Sequence, residues 1–208
     1  MASKSSNRIL SIYKSRKNIL DLLEKQGYNV DDNTFSINEV DTMYVNSQLD
    51  LLISHSTDDR KVYVKYLLSA KIRPKDLDEI IEDLFVIENV LKKTDTLVII
   101  VEEEPNDTII TKSKYLFDHD DTFVVLHNIS RLQYNILQHK LIPKVEILNT
   151  TEVNELKQKY NLKSLEQLPE ISRFDPLSLA LFLRPGQVCR MVRSSATALS
   201  YDYYRHCI

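Results

Sequence analysis

Five histidines, two cysteines and a few clustered acids are the residues of this chain equipped for chemistry, and their spacing excludes most of it. His55, His119, His127, His139 and His206 stand apart from one another and from Cys189 and Cys207, so no His or Cys spacing suits zinc. The densest polar cluster, Phe117-Asp118-His119-Asp120-Asp121, reads as a solvated loop between a helix and a strand, not as a metal site. Two glycines in 208 residues rule out a glycine-rich phosphate loop. No serine sits in a nucleophile-elbow context. The expectation is a protein with no catalytic residue, no metal and no cofactor of its own.

Binding chemistry is better represented. Arg173, Arg184, Arg190, Arg193 and Arg205 accompany Tyr201, Tyr203 and Tyr204 near the C-terminus. Arginine and tyrosine are over-represented at interface hot spots. On a strand, alternation puts Tyr201 and Tyr203 on one face and Tyr204 on the other. One face must be core, so these residues cannot all be interface.

The elements that carry them are marked by punctuation. Leu168-Pro169 stops a preceding helix, because proline disfavours the helical region for the residue before it. Asp175-Pro176 opens another, with Asp as N-cap and Pro in the first turn. Pro185-Gly186 fits the centre of a type II turn, whose second residue needs positive φ. The alternating runs Gln187–Arg193 and Tyr201–Cys207 read as strands. Upstream, Val145–Leu148 is a strand, and Asn149 with Glu152 forms a capping box for a helix to Lys159.

The first part of the chain alternates strands and helices. Helical spacing of Ile9, Ile12, Tyr13, Ile19, Leu20 and Leu23 predicts a helix over 7–26 that ends at Gly27. Asp31-Asp32-Asn33 is a turn, and Ser36–Val45 a short helix. Leu49–Ser54 and Lys61–Leu67 are strands. Pro74 opens a long amphipathic helix with the stripe Leu77, Ile80, Ile81, Leu84, Ile87, Val90 and Leu91. Thr96–Val101, almost wholly apolar, is a buried central strand, 109–117 a helix, Thr122–Leu126 a strand and Ile129–Gln138 a helix. That order argues an α/β domain over 1–138, followed by a small α+β domain over 139–208.

Composition sets outer bounds. Hydrophobic residues make up 43% and charged residues 27%, ordinary for a globular protein. Net charge is −3, with ten Lys/Arg against seven Asp/Glu after residue 138 and an acidic excess before it. A free-standing nucleic-acid binder usually shows a marked basic excess, which is missing here. The polar start Met1–Arg8 lacks the apolar stretch of a signal peptide, and no run is long enough to span a bilayer. An intracellular protein without a membrane partner is therefore expected, with Cys189 and Cys207 as buried free thiols. Their places on two C-terminal strands leave a bridge geometrically open.

From His139-Lys140-Leu141-Ile142-Pro143-Lys144 onward, the ordered set Glu155-Leu156, Lys159-Tyr160, Leu162-Lys163, Gln167-Leu168-Pro169, Asp175-Pro176, Arg184-Pro185-Gly186-Gln187-Val188 and Tyr204-Arg205 resembles one family. It is similar to the assembly domain of the fifth-largest, shared subunit of eukaryotic nuclear RNA polymerases I, II and III, a family that also has archaeal members. The resemblance implies a non-catalytic subunit of a multisubunit DNA-directed RNA polymerase, a hetero-oligomer docked on the largest subunit beside other core subunits. It implies a nuclear location, or the host cytoplasm or virion for a virus-encoded homologue. Arg173, Arg190, Arg193, Tyr204 and Arg205 are the partner-binding candidates. Two residues depart from the family's pattern: Ala196 stands where a Glu is usual, and Leu199 where a Gly is common.

The resemblance also assigns residues 1–138 to a jaw domain, a nuclease-like mixed sheet with flanking helices that contributes to the downstream DNA channel. Nucleases of that fold hold Mg²⁺ with an Asp on one strand and an acidic-x-Lys triplet on the next. Asp50 and Lys65 occupy two of those places, but Tyr63 replaces the second carboxylate, which makes a poor magnesium site. A stretch after the apolar strand lies near downstream DNA in the family; it is matched here by Thr111-Lys112-Ser113-Lys114, giving Lys112, Ser113 and Lys114 as candidate contacts to the duplex. Glu102-Glu103-Glu104 reads as an exposed strand end that repels DNA. The competing readings are a Mg-dependent nuclease-like hydrolase and an adaptor protein acting outside transcription.

Overall fold

The computed structural model describes residues 2–68 and 71–208; Met1, part of the polar N-terminal stretch, lies outside them. Two compact units divide at Asn135 and Ile136. Each is mixed α/β in content.

In the first unit the order is α1 (Ala2–Glu24), α2 (Ile37–Val45), β1 (Leu51–Ser54), β2 (Lys61–Leu67), α3 (Pro74–Ile81), β3 (Thr96–Val101), α4 (Asp107–Asp120) and β4 (Phe123–Asn128). The sheet order is β1-β2-β3-β4, with β1 antiparallel to β2 and the other pairs parallel. Parallel neighbours need crossovers, and α3 and α4 supply them. All six residues of β3 and all six of β4 are buried. Leu97, Ile99 and Val101 join Leu77, Ile80, Ile109 and Leu116 in one core cluster. Val98 and Ile100, just as buried, point to the opposite face. Burial on both faces is why this strand is a continuous apolar run.

Helix ends follow local chemistry. Gly27, at φ +88°, takes the chain out of α1, and a Cβ there would sit 3.0 Å from Nε2 of His55. Ser36 and Glu39 form a capping box at α2. Asn106 caps α4, its Oδ1 accepting from the Ile109 amide at 3.0 Å.

Three expectations are corrected. The helix over 74–91 stops being α-helical at Ile81 and continues as a π-helical stretch, Glu82–Ile87. That wider turn rotates the apolar stripe: Leu84 stays buried, while Val86 and Ile87 are 72% and 68% exposed. Asn89 then takes a left-handed conformation, and the amides of Val90 and Leu91 return to the Leu84 carbonyl, dropping Leu91 into the core. Residues 129–138 form two 3₁₀ turns, Arg131–Gln133 and Ile136–Gln138, because Tyr134 between them is extended. The polar cluster 117–121 is the last turn of α4, not a loop; Asp121, at φ 55°, ends the helix.

The second unit contains β5 (Lys144–Ile147), α5 (Thr150–Tyr160), β6 (Glu170–Ile171), α6 (Pro176–Leu181), β7 (Val188–Ser195) and β8 (Leu199–Cys207). Its sheet order is β5-β7-β8-β6. The Asn149–Glu152 capping box starts α5, and Asp175 caps α6 by accepting from the Leu177 amide at 2.9 Å. Leu168 is extended before Pro169, after a 3₁₀ turn over Leu165–Gln167. Gly186 has φ +86°, and the Gln187 amide closes the turn on the Arg184 carbonyl at 3.1 Å. The two-residue β6 is absent from the sequence reading; it pairs parallel with the end of β8, Ile171 opposite Cys207. The core holds Ile171, Leu177, Leu181, Leu183, Cys189, Met191 and Cys207.

Candidate functional site

The magnesium template comes together in space but not in chemistry. Asp50, just before β1, has both carboxylate oxygens engaged. Oδ2 accepts from the Tyr63 hydroxyl at 3.2 Å and lies 3.6 Å from Nζ of Lys65; Oδ1 accepts from the Tyr66 amide at 3.1 Å. Burial, with Asp50 beside it, pushes the Tyr63 hydroxyl up to about 12. The corner ties the chain before β1 to β2. Among the described residues, no group of three or more His, Cys, Asp or Glu side chains could hold a metal.

The proposed DNA contacts lie in the second turn of α4, which begins at Asp107. Ser113 is buried, its hydroxyl donating to the Val124 carbonyl at 3.3 Å, so the contact assigned to it is corrected: a phosphate does not reach it. Nζ of Lys112 is 2.7 Å from Asp78 of α3. Lys114 is exposed. The acid triplet after β3 is paired throughout: Glu102 with Arg8, Glu103 with Lys71, and Glu104 with Arg131. Each cation offsets one carboxylate, which weakens the local repulsion of a polyanion.

In the second unit the β7–β8 hairpin carries four of the five candidate side chains and divides them between its two faces; Arg173 lies between β6 and α6. Register pairs Arg190 with Tyr204, Met191 with Tyr203, Cys189 with Arg205 and Arg193 with Tyr201. Paired residues share a face. On one face, Nη2 of Arg190 donates to Oε2 of Glu146 on β5 at 2.7 Å. Glu146, and then Asp202, hold the Arg190 guanidinium above its ordinary range. Tyr204 packs edge-to-face against Tyr160 of α5, with centroids 6.0 Å apart. Burial, then Asp202, raises the Tyr204 hydroxyl.

The other face carries cation–π contacts. The Arg193 guanidinium lies 4.1 Å from the Tyr203 ring centroid, and that of Arg205 lies 5.5 Å from it. Cys189, Met191 and Cys207 on this face enter the core. Arg205 also reaches the Glu170 carbonyl on β6 at 3.4 Å. Arg173, half-buried, donates its amide to the Ile208 carbonyl at 2.9 Å, holding the C-terminal residue beside β6. Both cysteines are free, and burial pushes the Cys207 thiol up to about 11, so it is protonated and unreactive at neutral pH.

At the hairpin tip, Ser195 Oγ accepts from the amides of Thr197 and Ala198 at 3.3 Å each. Leu199 follows in the left-handed region, at φ 58°. Glu146 and Tyr160 are absent from the sequence-derived candidates, and Leu199 entered only as a departure from the family's pattern. Glu146 faces Arg190 only through strand register, which a single sequence does not display.

The family "RNA polymerase Rpb5, C-terminal domain" matches residues 134–207. The chain is 41% identical over 76 residues to the DNA-directed RNA polymerase subunit Rpo5 of Thermococcus onnurineus, covering 36% of this chain and 92% of that protein. It is 28% identical over 209 residues to the DNA-directed RNA polymerases I, II, and III subunit RPABC1 of Caenorhabditis elegans, covering 93% of this chain and 94% of the relative. Against the DNA-directed RNA polymerases IV and V subunit 5B of Arabidopsis thaliana it is 27% identical, over 98% of this chain and 92% of that protein.

Proposed function

Because this chain belongs to the Rpb5 family of RNA polymerase subunits, we propose that it is a non-catalytic subunit of a multisubunit DNA-directed RNA polymerase. The carrying observation is similarity to RPABC1 over nearly the whole chain, with the family's C-terminal domain matched over residues 134–207. The polymerase as a whole is the enzyme. This subunit docks on the largest subunit through the β7–β8 hairpin and its surroundings, with Arg173, Arg190, Arg193, Tyr204 and Arg205 as contacts. Its location is the nucleus, or the host cytoplasm or virion if a virus encodes it.

We read the first unit as the jaw. Its mixed four-stranded sheet with flanking helices supports a nuclease-like fold, and the engaged Asp50 carboxylate argues against nuclease chemistry. Contact with downstream duplex DNA falls to Lys114 and Lys112. Each neutralised phosphate contributes about −0.9 to the log-log salt slope. Two contacts guide a duplex held elsewhere and do not anchor it.

Co-expression with the largest polymerase subunit tests the reading. One stoichiometric complex on size exclusion is expected; separate elution would overturn docking on that subunit.

A further inference from the structure

Along β8, Leu199, Tyr201, Tyr203 and Arg205 alternate onto one face, opposite Ser195, Arg193, Met191 and Cys189 of β7. Exposure rises toward the tip: Cys207 is 1% exposed, Tyr201 43% and Leu199 88%. The strip therefore leaves the core and projects from the hairpin. Its far end is an apolar side chain in water, on a backbone that favours glycine. Neither feature helps the isolated unit. The left-handed conformation strains a leucine, and its exposed side chain gains nothing from burial.

Charge on this face is one-sided. Among the residues just named the charged ones are Arg193 and Arg205, while Asp202 lies on the opposite face, paired with Val192. The Arg193 guanidinium carbon sits over the Tyr203 ring, 4.1 Å from its centroid. The guanidinium N–H donors lie in one plane, the geometry that suits a carboxylate.

We propose that Leu199 is the apolar anchor of the hairpin tip, seated in an apolar pocket with a carboxylate rim on a neighbouring polymerase subunit. This rests on the polymerase-subunit reading above. Tyr201 closes the side of the contact, and Arg193 meets the acidic rim. Full burial of a leucine side chain corresponds to about a 10- to 100-fold change in affinity.

The test compares wild type with Leu199→Gly and Leu199→Asn, both of which tolerate positive φ. Melting of each isolated protein is measured beside its affinity for polymerase depleted of this subunit. The expected result is a melting temperature no lower than wild type in both variants, with affinity weakened about 10- to 100-fold. Wild-type affinity in both variants overturns the anchor. A lower melting temperature in both also overturns it, since Leu199 would then be acting within the fold. Failure of the wild-type protein itself to bind would strike the polymerase-subunit reading instead, so the two failures are distinguishable.

Discussion

The hydroxyl of Tyr63 donates to Oδ2 of Asp50 at 3.2 Å, tying β2 to the residue just before β1. This bond has a pH signature. The Tyr63 hydroxyl is pushed up to about 12, above its ordinary value near 10, by burial and then by Asp50. The unfolded chain releases this proton first, so its stabilising effect is fully present below about pH 10 and is lost as pH rises through about 12. Tyr66, its hydroxyl buried and also pushed up to about 12, acts in the same direction. Tyr63→Phe is expected to flatten the alkaline limb of a melting-temperature profile between about pH 10 and 12 without removing it. An unchanged limb would mean that Tyr63 is not part of the linkage.

The contact of Arg190 with Glu146 is a surface ion pair between β7 and β5. Exposed pairs contribute little to stability. Arg190→Ala should leave the melting temperature nearly unchanged while weakening assembly with polymerase. The reverse pattern, a clear loss of stability with normal assembly, would make Arg190 a structural residue.

Arg193 and Arg205 both lie over the Tyr203 ring, on the face that the Leu199 strip shares. Arg193→Glu or Arg205→Glu is expected to abolish co-purification with the largest subunit and to preserve the far-UV circular dichroism spectrum. Assembly at the wild-type level would confine the interface to the Arg190–Tyr204 face.

Ser113 is buried, so α4 offers a duplex at most its two lysines, Lys112 and Lys114. Titration of the isolated protein with duplex DNA should show no sub-micromolar binding in physiological salt. Any weaker binding should have a log-log salt slope no steeper than about −2. Tight binding would contradict the guiding role given to the jaw.

Residues whose conformation is dictated by their own chemistry were the legible ones. Asn149 with Glu152, Asp175 with Pro176, and Pro185 with Gly186 mark caps and a turn that the structure contains. The parity separating Tyr203 from Tyr204 holds for the same reason: alternation is a property of the strand. What depends on phase or register was not legible. The π-helical stretch after Ile81 turns Ile87 out to solvent, against the α-helical phase. Asn106 caps α4 five residues before Thr111, and this places Ser113 on the inward side. Glu146 meets Arg190 through a pairing between separate strands.

Affinity purification of the tagged chain from the cells that express it, with mass spectrometry of the co-purifying proteins, tests the central claim most directly. Assembly as a polymerase subunit predicts the two largest RNA polymerase subunits in stoichiometric amounts, together with RNA synthesis activity in the eluate. Recovery of the chain alone, or with proteins unconnected to transcription, would contradict it.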